Sequence, residues 1–228
     1  MVGEPPRSRI AWQPAYRIVP SRFPTIDIFE RFEDPQDWDA LIEVEIATNP
    51  RARDVIGDIE LVPRNERLGG PGSTPIMAAF THLHPLGTRF SSGHYGVFYA
   101  AYDRETAIDE TVHHRERFLR RTGARPVDLD MRVYAVDVTG EFHDIRHLKA
   151  PEIYARDEYS AAQTLGARLR EAGSNGIVYR SVRRENGECV AVFRPRRLSR
   201  CRTDRHLSYR WDGTRITVVY ERRPVRRS

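Results

Sequence analysis

The segment from Val97 to Gly123 constrains this chain more than any other. Val97 to Ala101 is a compact apolar run with glycine upstream and Asp103 downstream, the pattern of a buried strand. Asp103 then supplies an N-cap, because its side-chain oxygen can accept from the unpaired N–H groups of a first helical turn. Ile108, Val112 and Leu119 recur in helical register up to about Arg121, and Gly123 supplies the left-handed stop. A strand feeding an amphipathic helix is therefore expected here, with Glu110 off the core stripe. At ~100° per residue, Glu110 shares its face with Thr106, Ala107, His113 and His114.

The rest of the chain mixes strands and helices without regular alternation. Ala15 to Val19 reads as a short first strand, broken by Pro20 and Pro24; Asp34-Pro35 marks the start of a packing helix that ends before Asn49-Pro50. Arg67 to Pro75 is a turn-rich bridge, and its glycines lack both the lysine of a P-loop and the spacing of a dinucleotide fingerprint. Ile76 to Phe80 is a short apolar element. Downstream, Met131–Val138, Gly176–Val182 and Cys189–Arg194 read as strands, Tyr159–Ala172 as a helix stopped by Gly173, and Leu207–Trp211 with Thr214–Glu221 as a hairpin around Asp212-Gly213. The fold class expected is α+β, a mixed sheet with flanking helices. The divisions expected are a disordered lead over 1–13, a body over 14–197 (an N-terminal part, 14–75, and core motifs, 76–197), and an arginine-rich C-terminal hairpin over 198–228.

At 228 residues the chain can build a core without disulfide or metal support, and its two cysteines, Cys189 and Cys201, imply no disulfide framework. The start of the sequence lacks the apolar stretch of a signal peptide and no run is long enough to cross a bilayer, so a soluble cytoplasmic protein with no membrane partner is expected. Charge is unevenly distributed. Eleven arginines against three acids give residues 196–228 a charge of +8, so with +5 overall the first 195 residues carry −3. Lys149 is the only lysine among 37 basic residues. The basic end leaves open an RNA-acting or nucleic-acid-binding protein that uses the arginine-rich C-terminal segment as an alternative, although nucleic acid is not the partner expected.

Three blocks in order carry a resemblance: Gly87 to His114, Ser174 to Ser181, and Cys189 to Arg194. Together they resemble the RES domain family, named for an arginine, a glutamate and a serine. The similarity runs from about Tyr16 to Arg197, with 20–63 resembling an N-terminal extension. Members are generally toxins of bacterial toxin–antitoxin pairs, with a fold similar to diphtheria-toxin-type ADP-ribosyltransferases; they consume NAD, and some transfer ADP-ribose to a protein. The resemblance carries the family's arginine onto Arg89, its tyrosine onto Tyr99, its glutamate onto Glu110 and its serine onto Ser181. It adds His114, Ser91 and an early arginine, Arg17, as NAD-binding positions. Where many relatives have tryptophan and asparagine after the arginine, this chain has Phe90 and Ser91.

The chemistry implied is cleavage of the nicotinamide–ribose bond. Arginine can grip a diphosphate through its planar fork, so Arg89, joined by Arg17, is the expected clamp. Glu110 is expected to stabilise the oxocarbenium-like ribose, and Tyr99 to offer nicotinamide a ring face and a hydroxyl. Ser181 is expected to hydrogen-bond the substrate rather than attack it, since the Gly-x-Ser-x-Gly elbow is absent. NAD enters as substrate, with water, phosphate or a protein side chain as acceptor. The expected partner is a cognate antitoxin on a separate chain, with a protein target if the reaction is transfer. A metal site from His82, His84, His113 and His114 lacks a carboxylate or cysteine at diagnostic spacing, and no metal is expected. A non-catalytic interaction protein is the third alternative.

Overall fold

The structure is a computed structural model that describes residues 3–21, 27–31, 38–48, 52–223 and 225. Its regular elements in chain order are β1 (Arg7–Pro20), α1 (Trp38–Thr48), α2 (Ala52–Ile56), α3 (Ser73–Thr81), β2 (Phe98–Ala101), α4 (Arg104–Arg121), β3 (Val127–Asp144), α5 (Ser160–Glu171), β4 (Gly176–Arg180), β5 (Glu188–Val192), β6 (Leu198–Trp211) and β7 (Ile216–Arg222). The strands form one seven-stranded mixed sheet in the order β1-β2-β5-β4-β3-β6-β7, and β1 also pairs with β3. The fold is therefore α+β with a mixed sheet, as the sequence pattern predicts.

Strand alternation sends neighbouring side chains to opposite faces, and each face has its own core. Trp12, Ala15, Phe98, Ala100, Val178, Val190 and Val192 pack with α1, α2 and α3. Ile18, Ala101, Ile177, Tyr179, Cys189 and Ala191 pack on the other face with Phe90 and the apolar residues of α4 and α5. The helix after β2 follows its sequence signals: Asp103 accepts from Thr106 N at 2.8 Å, and Gly123 has φ +59°.

The ends of the chain are more regular than their composition suggests. β1 begins at Arg7, so residues 7–13 of the expected disordered lead are strand, antiparallel to β3 from Arg7↔His143 onward. Charged residues alternate there with the buried Ile10 and Trp12, and Pro14 sits at the register shift between Trp12 and Ala15, the place where a missing N–H is tolerated. At the other end β6 pairs with β3 from Val127↔Trp211 to Val138↔Leu198, so the C-terminal hairpin is an integral part of the sheet rather than an appendage. Its arginines are tied across strands: Arg210 to Asp128, Arg222 to Asp130 and Arg205 to Glu221. The division at 75/76 falls inside α3. The expected Asp34-Pro35 helix start, the Pro24 break and the Asn49-Pro50 stop lie outside the described residues. No helix among the described residues is long and apolar enough to cross a membrane.

Candidate functional site

β5 lies between β2 and β4 and is antiparallel to both, so β2 and β4 run in the same direction. Their C-terminal ends therefore reach the same edge of the sheet. At that edge β2 passes into α4, which carries Glu110, and β4 passes into the turn at Ser181. The Ser181 hydroxyl donates to Glu110 Oε1 at 2.6 Å and accepts from the backbone N–H groups of Arg183 and Arg184, each at 3.0 Å. A serine hydroxyl has one proton and two lone pairs, so all its bonding capacity is used. Ser181 orients the carboxylate and has no proton left for a substrate.

The Arg89 loop is fixed from both sides. Thr88 N bonds Ser91 O at 2.7 Å, and the turn needs Gly87 at φ +70°, where an added Cβ would stand 2.6 Å from Ser91 O. The Tyr99 hydroxyl accepts from Phe90 N at 2.9 Å and pairs with Thr88 Oγ1 at 2.8 Å, so it grips the residues on either side of Arg89. From α5, Gln163 Nε2 donates to Thr88 O at 3.0 Å, and Gly166 lets the helix backbone lie against Phe90 O. Arg89 itself is 8% exposed. Its Nη1 donates to the carbonyls of Ile153 and Ala155, each at 3.0 Å, and its guanidinium stands 4.7 Å from the Tyr159 ring centre. Among the described residues Arg89 makes no ion pair. A buried cation held only by carbonyl dipoles and a π-face retains its attraction for an anion.

Glu110 and Arg89 act on the same interior. Burial raises the Tyr179 hydroxyl and the Cys189 thiol well above their ordinary ranges; Glu110 reinforces both shifts and Arg89 opposes both. Tyr179 in turn packs edge-on against Phe90, with ring centres 5.0 Å apart. His114, one edge of which is open to solvent, has its pKa lowered by loss of water on its inner side and then by His113, Arg183, Arg115 and Arg89. The ring is neutral at pH 7.

The family model of the RES domain matches residues 66–212. The chain belongs to the RES domain family. A relative, the uncharacterized protein y4oC of Sinorhizobium fredii (strain NBRC 101917 / NGR234), is 35% identical over 207 residues, which are 90% of this chain and 86% of that protein. Among solved structures, the crystal structure of the M. tuberculosis MbcT–MbcA toxin–antitoxin complex aligns with a TM-score of 0.46 and 11% identity, covering 88% of this chain and 86% of that one.

Arg89, Ser91, Tyr99, Glu110, His114 and Ser181 all fall inside the RES domain segment, and Arg17 falls outside it. The structure brings Arg89, Tyr99, Glu110, His114 and Ser181 together on one face of the sheet. Arg17 is not with them. It shares the register of Ala15 and Val19, which face the other core, and its guanidinium lies 4.6 Å from the Phe98 ring centre while donating to Tyr99 O at 3.2 Å. Burial lowers its pKa to about 10, a structural cation rather than half of a clamp. Ser91 is 2% exposed and its hydroxyl serves the loop, donating to Tyr95 O at 2.7 Å and accepting from Gly93 N at 3.2 Å. The Tyr99 hydroxyl likewise serves the loop through Phe90 N and Thr88 Oγ1, and keeps one further hydrogen-bonding position.

Sequence reasoning missed Tyr179, Tyr159, Gln163, Gly166 and Arg183. Only Arg183 had a signal, its place two residues after Ser181. Among the described residues no three His, Cys, Asp or Glu side chains are grouped to hold a metal. His82 bonds Asp54 O at 2.8 Å instead. A cleft of about 550 Å³ lies apart from the cluster, between Ala11, Gln13, Tyr16, Tyr102 and Arg104.

Proposed function

We propose that this RES domain protein cleaves the nicotinamide–ribose bond of NAD and acts as the toxin of a toxin–antitoxin pair in the cytoplasm. The observation that carries the reading is the pairing of a buried arginine, with no counter-ion among the described residues, and a serine-held carboxylate beside one buried tyrosine. Such a site suits a substrate that is anionic at one end and develops positive charge at the other. Arg89 binds the diphosphate, and its fork is already planar and charged. Glu110 stands against the ribose carbon. As the C–N bond breaks, its electron pair leaves with neutral nicotinamide and the ribose becomes oxocarbenium-like. A fixed carboxylate gains most of its attraction at that moment, so it lowers the barrier without over-stabilising bound NAD. The acceptor then adds to the ribose carbon: water gives ADP-ribose, phosphate gives its 1″-phosphate, and a protein side chain gives an ADP-ribosylated target. Family membership supports the toxin role and a separate antitoxin as partner.

The test is to incubate purified protein with NAD, with and without phosphate, and identify products by mass spectrometry. Free nicotinamide with a single ribosyl product is expected, and Glu110→Gln is expected to lower the yield of both by about 10²- to 10³-fold while keeping the fold. NAD left intact by freshly purified, antitoxin-free protein refutes the reading.

A further inference from the structure

Beside the Glu110–Ser181 pair lies a second cationic group that the reaction above does not use. Arg183 follows the Ser181 turn, and its side chain is 5% exposed. Its Nη2 donates to Arg156 O and to Asp157 Oδ1, the latter at 3.2 Å, but its Nε is fully buried and has no hydrogen-bond partner. His113 Nε2 is also fully buried without a hydrogen bond, although it lies 3.3 Å from the same Asp157 Oδ1. Buried nitrogens are nearly always paired in native proteins, and here His113 Nε2 stands unpaired beside the one carboxylate oxygen that Arg183 takes with Nη2 while its own Nε goes without. The Asp157 side chain itself is 67% exposed and belongs to the loop between β3 and α5.

We propose that Arg183 and His113 form a phosphate subsite that Asp157 fills when the site is empty, and that a phosphoryl group of the dinucleotide replaces it on binding. The inference rests on the NAD reading of this site. A phosphoryl group carries several acceptor oxygens. It can therefore meet both Nε and Nη2 of the Arg183 fork and still reach His113, which Asp157 does not do from its loop position. Charge favours the exchange, because Arg183, Arg117 and Arg156 all act on His113 against the one carboxylate of Asp157. Location favours it too. Arg183 N is bonded to the hydroxyl that holds Glu110, and Arg89 and Arg183 both act on His114. The same loop presents Ile153 O and Ala155 O to Arg89, so it supplies stand-in oxygens to both cations. Displacing it exposes two guanidinia at once.

Asp157→Asn removes the internal anion at an exposed position while keeping its size. The expected result is a three- to tenfold fall in KM for NAD, with a matching rise in affinity for ADP-ribose in calorimetric titration. Titration with inorganic pyrophosphate reads the subsite independently of turnover: tighter binding to Asp157→Asn, lost again in Asp157→Asn/Arg183→Gln, is expected even if NAD proves not to be consumed. Equal pyrophosphate binding by the parent and Asp157→Asn would overturn the subsite. Tighter inorganic phosphate with unchanged ADP-ribose would overturn its assignment to the dinucleotide.

Discussion

Replacing Ser181 by alanine separates a residue that acts on substrate from one that acts through Glu110. The substitution deletes the 2.6 Å bond to Glu110 Oε1 and the acceptor shared by Arg183 N and Arg184 N. A hydrogen bond to a charged group contributes about 1.5–3 kcal/mol. If all of it serves to hold the carboxylate in place, its loss lowers kcat by roughly 10- to 150-fold at about 1.4 kcal/mol per decade. Two backbone donors in a partly exposed turn lose their partner as well, which costs about 1–2 kcal/mol of stability after water replaces part of the bonding. Glu110→Gln keeps an acceptor for Ser181 and removes the charge; a preorganised electrostatic group of this kind is worth about 3–4 kcal/mol, or some 10²- to 10³-fold. Ser181 has no proton free for substrate, so its effect vanishes once Glu110 no longer stabilises charge. The double variant should match Glu110→Gln alone in nicotinamide release, followed by chromatography under saturating NAD. Multiplied losses in the double variant would show that Ser181 contributes on its own, and the positioning argument would fail.

Two further outcomes test the surroundings of the site. Gly166→Ala should destabilise the protein in urea titration and reduce turnover, because the new Cβ would lie 2.3 Å from Phe90 O; overpacking of about 1–3 kcal/mol outweighs the ~1 kcal/mol that alanine gains in a helix, and a more stable variant refutes the tight contact. Stability should fall as pH drops below about 6.5, the ordinary histidine value, because burial and then nearby cations hold His113 and His114 below it and the unfolded chain therefore binds more protons. Urea midpoints at pH 7.5, 6.5 and 5.5 should decline in the parent and decline less in a His113→Asn/His114→Asn variant, and equal slopes refute the assignment. Asp157, whose own pKa is lowered, loses its contribution only in a separate window below about pH 4.

Local chemistry made some elements readable. The α4 helix runs from its Asp103 cap to Arg121 because cap, stripe and stop all lie within one segment. The Asp212-Gly213 hairpin was equally legible. The second half of β1 was read as a strand from Ala15 to Val19, but residues 7–13 were not, because the apolar residues there are spaced among Arg7, Arg9 and Gln13 and gain their partners from β3, more than 100 residues away. The same holds within the site. The family motif identified Arg89, Tyr99, Glu110 and Ser181, but not what each hydroxyl bonds. A motif position shows that a hydroxyl is required; it does not show whether that hydroxyl touches substrate or neighbour.

Sheet order resolves that question, and it is a long-range property. Ala101, Cys189 and Tyr179 align across β2, β5 and β4, which sets the start of α4 and the end of β4 at one edge and leaves Tyr179 between them. Glu110 and Ser181 are 71 positions apart in sequence, and Arg89 reaches Ile153 across 64. The Glu110–Ser181 contact therefore exists only when β5 is seated between its neighbours. Two roles follow for the residues of the motif. Arg89 and Glu110 present charge to the interior, while the hydroxyls of Tyr99 and Ser181 hold, respectively, the loop and the carboxylate that carry that charge. Arg17 contributes from the opposite face by bonding Tyr99 O, so it reaches the site through the backbone of β2 rather than through its guanidinium's attraction for phosphate.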